Sequence, residues 1–373
     1  MLTMQYCAVV PHEITTCYGK DFRKNPIGTG PFYFKMWKEG IKLVLLKNTD
    51  YFETDTAGQK LPYLDAVAIT FVIDKQTAFL EFVKGNIDFL SGLDASYKDE
   101  LLTRRGQLNP KYSTQFNMSR CPYLNTEYLG FLVDKEKTGA GNPLTDKRIR
   151  QAINYGFDRS KMMRYLRNSI GIPGTSGIIP PGLPTIDTTR LNAYCYAPDK
   201  ARALLVEAGY PGGKGLPPIT LSTNPSYTDI AQHIQSDLAD IGFVIKLNIA
   251  DPGTLREQIS KSQTDFFRGS WIADYPDAEN YLSLFYSKNF CPAGPNYTHY
   301  SNPAFDVLYE KSLRELNDTI RWQFYRKMDS IMINDAPVVV LYYDEVLRFT
   351  QKNITGLGIN PLNLLTLKYV KKL

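Results

Sequence analysis

The sequence predicts an α/β protein, and three observations carry that reading. Helix-period and strand-period segments alternate between residues 197 and 249, the order in which strands line up mostly parallel with helices laid across them. Ahead of that block, the first 130 residues mix short β-type runs with a helix, punctuated by Gly/Pro turns. The chain of 373 residues is 43% hydrophobic and 22% charged, which is enough apolar material for more than one core.

Taken in order, Gly28-Thr29-Gly30-Pro31 is a turn. The aromatic run 32–37 follows, Glu39-Gly40 turns the chain, and residues 41–46 return, so the two runs form a hairpin. Residues 66–72 are another strand. Asp74 caps a helix that sets Ala78, Phe79, Phe82 and Val83 on one face and stops at Gly85. Residues 87–89 are a short strand. Thr145 and Asp146 start a helix with Ile149, Ala152, Ile153 and Gly156 inward, and Lys147, Arg148 and Arg150 on its exposed side. A second helix from Asp158 turns Met162, Met163 and Leu166 inward. Residues 171–188 are rich in Pro and Gly and read as a long irregular loop.

A helix with Pro198 in its first turn places Ala201, Leu204, Leu205 and Ala208 on one face. Then come a strand at 219–221, a helix marked by Ile230, Ile234 and Leu238, and a half-buried strand on which Phe243, Ile245, Leu247 and Ile249 alternate with Val244, Lys246 and Asn248. Asn302 and Pro303 open a helix with Phe305, Leu308 and Tyr309 inward. The next helix begins near Thr319 with Ile320, Phe324, Met328 and Ile331 inward. Residues 338–343 are a buried-type strand, and 364–369 are the last.

Several function classes are excluded. The net charge of +5 is scattered, with Lys147-Arg148-Arg150 and Lys371-Lys372 as its densest runs. Neither run interleaves with aromatics, so no nucleic-acid track is expected. The five Cys form no CxxC pair and there are only three His, so a zinc site of ordinary spacing is not expected. The odd Cys count permits at most two disulfides. No run of ~18 apolar residues exists for a membrane span, and residues 1–6 lack the basic head and apolar run of a signal peptide. GxSxG, GxGxxG, Walker A and HExxH motifs are all missing. Pro31 removes a donor that a phosphate cradle would want, so Gly28-Thr29-Gly30 is a structural turn. Asp274 and Asp277 alone do not make a hydrolase. No cofactor and no catalytic residue are expected, and the chain reads as a binding module.

Four stretches, in this order, carry a resemblance. They are Asn25-Pro26-Ile27-Gly28-Thr29-Gly30-Pro31-Phe32 with Asn48-Thr49-Asp50-Tyr51-Phe52; the helix from Phe79 ending in Gly85-Asn86-Ile87-Asp88; Pro143 to Arg159; and Ala203 to Tyr210 continuing to Trp271-Ile272-Ala273-Asp274-Tyr275-Pro276-Asp277. Together they resemble the extracytoplasmic solute-binding proteins of family 5, the peptide/nickel ABC-transporter type. Ile27 and Phe52 are mild departures from the family pattern. The resemblance implies a two-lobed, type II periplasmic-binding-protein-like α/β fold whose lobe I is incomplete, with the family's N-terminal third and its export signal lying before Met1. Lobe I would hold residues 1–130 and 348–373, and the second lobe 131–347. The ligand would lie in a cleft that closes over it.

The resemblance also implies a site. Asp274 would meet the α-amino group of a short peptide, and Arg268 a ligand carboxylate. Trp271, Ile272, Tyr275 and Tyr281 would line the pocket. The loop 222–227 lacks the Arg that dipeptide binders carry there, which argues against a tight dipeptide clamp. The partners implied are short peptides and the membrane permease subunits of an ABC importer, and the place is the periplasm or a lipoprotein anchor outside the cytoplasm. A nickel chelate, haem or an oligosaccharide is the alternative solute, and a hydrolase the alternative class.

Overall fold

The computed structural model describes residues 4–139, 141–185 and 193–373. Its contacts divide the chain into two compact units. One comprises residues 1–103, 107–121 and 346–373, the other residues 104–106 and 122–345.

In the first unit, β1 (Phe32–Lys38) pairs antiparallel with β2 (Lys42–Lys47), and β2 with β3 (Ala66–Thr70). Gly40 makes the hairpin turn at φ 69°, a region that costs glycine nothing. The helix Lys75–Val83 starts where the sequence places it. The Asp74 carboxylate accepts the Thr77 N–H at 2.6 Å, satisfying one orphan donor of the first turn. Phe79 and Phe82 are fully buried, and stack with Tyr97, Tyr112 and Phe116 into an aromatic core. β4 (Phe89–Ser91) lies slightly beyond the expected 87–89.

β5 (Phe116–Phe131) carries the chain into the second unit. There the chain adds β6 (Ile172–Pro173), β7 (Ile219–Thr223), β8 (Ile245–Ile249) and β9 (Phe266–Ile272). β7 pairs in parallel with both β8 and β9, because the helices Thr228–Ala239 and Pro252–Ser260 supply the crossovers. β9 pairs antiparallel with β5. The sheet is therefore mixed, where the local element order led us to expect a mostly parallel one. The antiparallel partner comes from a segment remote in sequence. β10 (Val338–Gln351) extends well beyond the expected 338–343 and returns the chain to the first unit, where its residues Arg348–Thr350 pair with β4. β11 (Ile354–Thr355) pairs with β12 (Lys371–Lys372). The unit boundaries thus fall inside β5 and β10, at 121/122 and 345/346, where the sequence placed them at 130/131 and 347/348.

Three local expectations are corrected. Residues 364–369 form no strand. The Arg348 guanidinium donates to Gly358 O, Asn363 Oδ1 and Leu364 O, which holds this segment as an irregular loop. Arg150, expected on an exposed face, is 6% exposed. Its fork donates to Ala336 O and Leu144 O, both at 2.9 Å, and to Asp335 O at 2.7 Å. Two of those carbonyls end the helix Asp318–Asp335 and have no partner within it. Burial lowers the guanidinium to about 10. That same helix buries Tyr325, Met328, Asp329, Met332 and Ile333 and leaves Ile320 exposed. The buried stripe is rotated because Asp329 is drawn inward by backbone N–H donors of Ile178 and Ile179.

The second unit's core gathers Ile149, Ile153, Met162, Leu205, Leu221 and Ile234 with Phe266 and Leu341. It packs helix stripes onto one face of the sheet, and β9, an interior strand of that sheet between β5 and β7, carries the candidate site.

Candidate functional site

β5 and β9 are joined by two aromatic-over-glycine pairs. Tyr128 stands opposite Gly269, and Phe267 opposite Gly130. A Cβ on Gly269 would come within 2.6 Å of the Tyr128 ring, and one on Gly130 within 2.5 Å of Phe267. The glycines are what let each ring lie flat across the neighbouring strand.

The opposite face carries charge. Glu127 faces Ser270 and Arg268 faces Leu129, so Glu127 and Arg268 are diagonal neighbours on one face. They form a salt bridge in which both side chains are largely buried. The guanidinium also lies over the Tyr227 ring, 3.6 Å from its centroid. The Glu127 carboxylate further accepts from Asn125 Nδ2 at 3.0 Å and from the Tyr227 hydroxyl at 3.2 Å. Burial, then the neighbouring Glu127, pushes the Tyr227 hydroxyl above its ordinary value. Arg268 Nε and Asn125 Oδ1 are buried and find no hydrogen-bonding partner among the described residues. Arg268 is thus a neutralised arginine, whose carboxylate partner is part of the protein.

Beyond β9, Asn280 fixes the end of the strand. This buried side chain accepts the Trp271 indole N–H at 2.8 Å and the Asp274 backbone N–H at 3.2 Å on one oxygen. Asp274 itself is exposed, and no ion pair holds its carboxylate among the described residues. Ile272 is exposed and Trp271 half-buried. The Tyr275 hydroxyl donates to Glu279, as does that of Tyr309. Tyr281 is fully buried, and its hydroxyl donates to Leu124 O at 2.7 Å. It is a core residue under the Trp271–Asp277 segment and is not in the lining of either cavity described below.

A cavity of about 290 Å³ opens beside β9, lined by Arg268 and Trp271 together with Tyr128, Asn224, Leu255 and Tyr297. A larger hollow of about 570 Å³ involves Asn142, Ser222, Asn248 and Asp265 and none of the expected site residues. Several of its polar groups are already engaged with one another, as in Asn142–Asp265 at 2.7 Å and Asn248–Ser222 at 3.3 Å. The smaller cavity is the stronger candidate, because it adjoins Arg268 and Trp271 and sets a few polar groups among apolar side chains, which is how small-molecule sites are built.

A match to the family model described as "Bacterial extracellular solute-binding proteins, family 5 Middle" runs over residues 1–290. The chain belongs to this family. Among curated relatives of this family-5 chain, the glutathione-binding protein GsiB of Salmonella choleraesuis (strain SC-B67) is 24% identical over 360 residues, covering 95% of this chain and 66% of the relative. The chain therefore spans just under two thirds of that relative's length. In fold it resembles the periplasmic binding protein DppA of Helicobacter pylori, solved with the peptide STSA, at a TM-score of 0.81 and 24% identity over 99% of this chain and 69% of that one. It likewise resembles a dipeptide-binding protein of Pseudoalteromonas sp. SM9913, solved with Met-Leu, at a TM-score of 0.81 and 22% identity over 99% and 70%. The α/β fold is thus that of the two-lobed periplasmic binding proteins. No helix of the described residues is long and apolar enough to cross a membrane.

Sequence reasoning singled out Arg268 and the Trp271–Asp277 segment but not the groups bonded to them in the structure. Glu127, Asn280 and Tyr227 were not singled out. One signal was available: Glu127 is a charged residue within an otherwise apolar strand run, 128–133 following it. A charge in such a place is almost always paired.

Proposed function

We propose that the protein to which this chain belongs is the substrate-binding component of an ABC importer, and that it carries short peptides, held by their amino terminus and backbone, to a membrane permease. It acts outside the cytoplasm, in the periplasm or on a lipid anchor, and by binding alone, with no turnover of the solute. The proposal rests on the family and on one feature of this chain. Asp274 presents an exposed carboxylate without an ion-pair partner among the described residues, on a segment whose backbone is bonded to the buried Asn280. An ammonium group offers three donors to such a carboxylate, and each charge-assisted bond contributes about 1.5–3 kcal/mol. Trp271 supplies an apolar wall beside it.

The charge pattern also bears on which solutes fit. Arg268 is neutralised by Glu127, and the loop 222–227 offers Tyr227 in place of an arginine. Arg268 is therefore not a free partner for a ligand's carboxyl end, and Arg256 is the other cation in the cavity lining.

Calorimetry of the full-length protein with tri- to pentapeptides tests this. Asp274→Asn should weaken binding at least tenfold, and capping the peptide's amine by acetylation should do the same to the wild type. Equal affinity of Asp274→Asn and wild type for a free-amine peptide would remove the amine role. Native mass spectrometry of the purified protein separates the solute classes: a ladder of co-purified peptides supports this reading, and a single chelate, haem or oligosaccharide mass opposes it.

A further inference from the structure

Away from the cavity's polar face, four side chains from separate segments of the second unit converge. The Cys291 sulfur lies 3.3 Å from His299 Nε2. The other ring nitrogen, Nδ1, lies 3.3 Å from Asp134 Oδ2. Ser262 Oγ lies 3.1 Å from His299 Nε2 and 3.3 Å from the Cys291 sulfur. Cys291 and His299 are only 5% and 6% exposed. The imidazole is stacked on the Phe290 ring, centroids 4.6 Å apart and planes 10° apart, which fixes its orientation.

Backbone geometry serves the same arrangement. His299 and Ser262 both adopt positive φ, 51° and 54°, a conformation that non-glycine residues rarely adopt. Asp134 divides its two oxygens: Oδ1 caps the helix Lys135–Thr138 by accepting the Glu136 N–H at 2.9 Å, while Oδ2 faces His299. An acid, an imidazole and a nucleophile in series are the parts from which activated nucleophiles are assembled. The acid selects the tautomer whose far nitrogen is free to take a proton.

We propose that Cys291 is an activated thiol, with His299 as its general base and Asp134 as the group that positions His299, and that small hydroperoxides oxidise it. The Cys291 proton passes to His299 Nε2, and Asp134 stabilises the resulting cation. The sulfur attacks one peroxide oxygen, so an S–O bond forms as the O–O bond breaks. The departing hydroxide, or alkoxide for an organic hydroperoxide, takes the proton from His299 and leaves as water or the alcohol. The sulfur ends as a sulfenic acid, oxidised by two electrons, and the peroxide is reduced. Ser262 is placed to donate its hydroxyl to the sulfur. Tyr297 and, beyond it, Arg256 are the other polar groups facing this cluster. Ile259, whose carbonyl is 3.8 Å from the sulfur, lines the cavity described above, as does Tyr297.

The chain carries its own controls, since Cys7, Cys17 and Cys195 are free and exposed. The protein is treated with hydrogen peroxide in the presence of dimedone, and labelling of each cysteine is followed by peptide mass spectrometry. Cys291 should label faster than the three exposed cysteines despite its burial. His299→Gln should remove roughly a hundredfold of that rate, the size of a general-base contribution. Asp134→Asn keeps the helix cap, because Asn caps as well as Asp, and should slow Cys291 while leaving the melting temperature nearly unchanged. Labelling of Cys291 no faster than Cys195, or an unaltered rate in Asp134→Asn, overturns the proposal.

Discussion

Glu127 and Arg268 form an ion pair across the β5–β9 ladder, each the diagonal neighbour of the other on the same face of the sheet. The pair sits in a polar pocket completed by Tyr227 and Asn125. Taking two charges out of water costs several kcal/mol per ion, and that cost is offset only while both partners are present. Glu127→Ala should therefore destabilise the protein by about 3–5 kcal/mol, since it strands the Arg268 guanidinium. The double variant Glu127→Leu/Arg268→Met should recover most of that loss. Urea unfolding of the two variants checks it, and a double variant no more stable than the single one contradicts it.

Asn280 should matter to binding more than to stability. Its side-chain oxygen orients Trp271 and the Asp274 backbone together. Asn280→Ala deletes two hydrogen bonds, at about 1 kcal/mol each. The expected outcome is a modest fall in melting temperature, a red-shifted tryptophan emission as Trp271 loosens, and weaker peptide binding. Unchanged emission together with unchanged affinity would show that Asn280 does not set the site.

Asp329 should make stability fall as pH rises. Its carboxyl is fully buried, and burial pushes it up to about 7 although the Ile178 and Ile179 N–H groups oppose the shift. The folded state thus holds its proton more tightly than the unfolded chain, whose carboxyl titrates near 3.9. Its contribution is fully present below about pH 4 and is lost as pH passes through about 7 and above. Asp329→Asn keeps an acceptor for Ile178 N–H, which lies 2.9 Å from Oδ1, and cannot ionise. The variant should match the wild type at about pH 3.5 and exceed it at pH 9 by an amount on the order of 4 kcal/mol. Unfolding midpoints at the two pH values decide the matter, and parallel pH profiles would refute it.

Gly269 should tolerate no side chain. Gly269→Ala drives a methyl into the Tyr128 ring, and overpacking of this kind costs about 1–3 kcal/mol. Tyr128 also lines the cavity beside Arg268 and Trp271, so its displacement should reduce ligand affinity as well. Gly28→Ala, where a Cβ meets open space, is the control and should be close to neutral.

Local signals made much of the fold readable from the sequence. Asp74, Asp146 and Asn302 are helix caps in the sequence reading and in the structure, each accepting backbone N–H groups of its first turn. Capping depends on residues within three positions of one another, so it survives any tertiary arrangement. The β1–β2 hairpin and the stripes of Ile149–Ile153 and Ile230–Ile234–Leu238 are legible for the same reason: period and turn chemistry are written in adjacent residues. The segment around Asp274 was singled out through an ordered set of short motifs, none of which specifies a contact.

What the tertiary structure decided is which distant groups meet. Arg150 looked like one of three cations on a wet helix face until the final carbonyls of the helix Asp318–Asp335 came to lie against it. Glu127 meets Arg268, and Asp134 meets His299 and Cys291, across long stretches of sequence. A charged or nucleophilic side chain carries the same letter whether it is solvated, paired or activated. The difference is made by desolvation and by partners a few ångströms away, and these exist only once the sheet has closed.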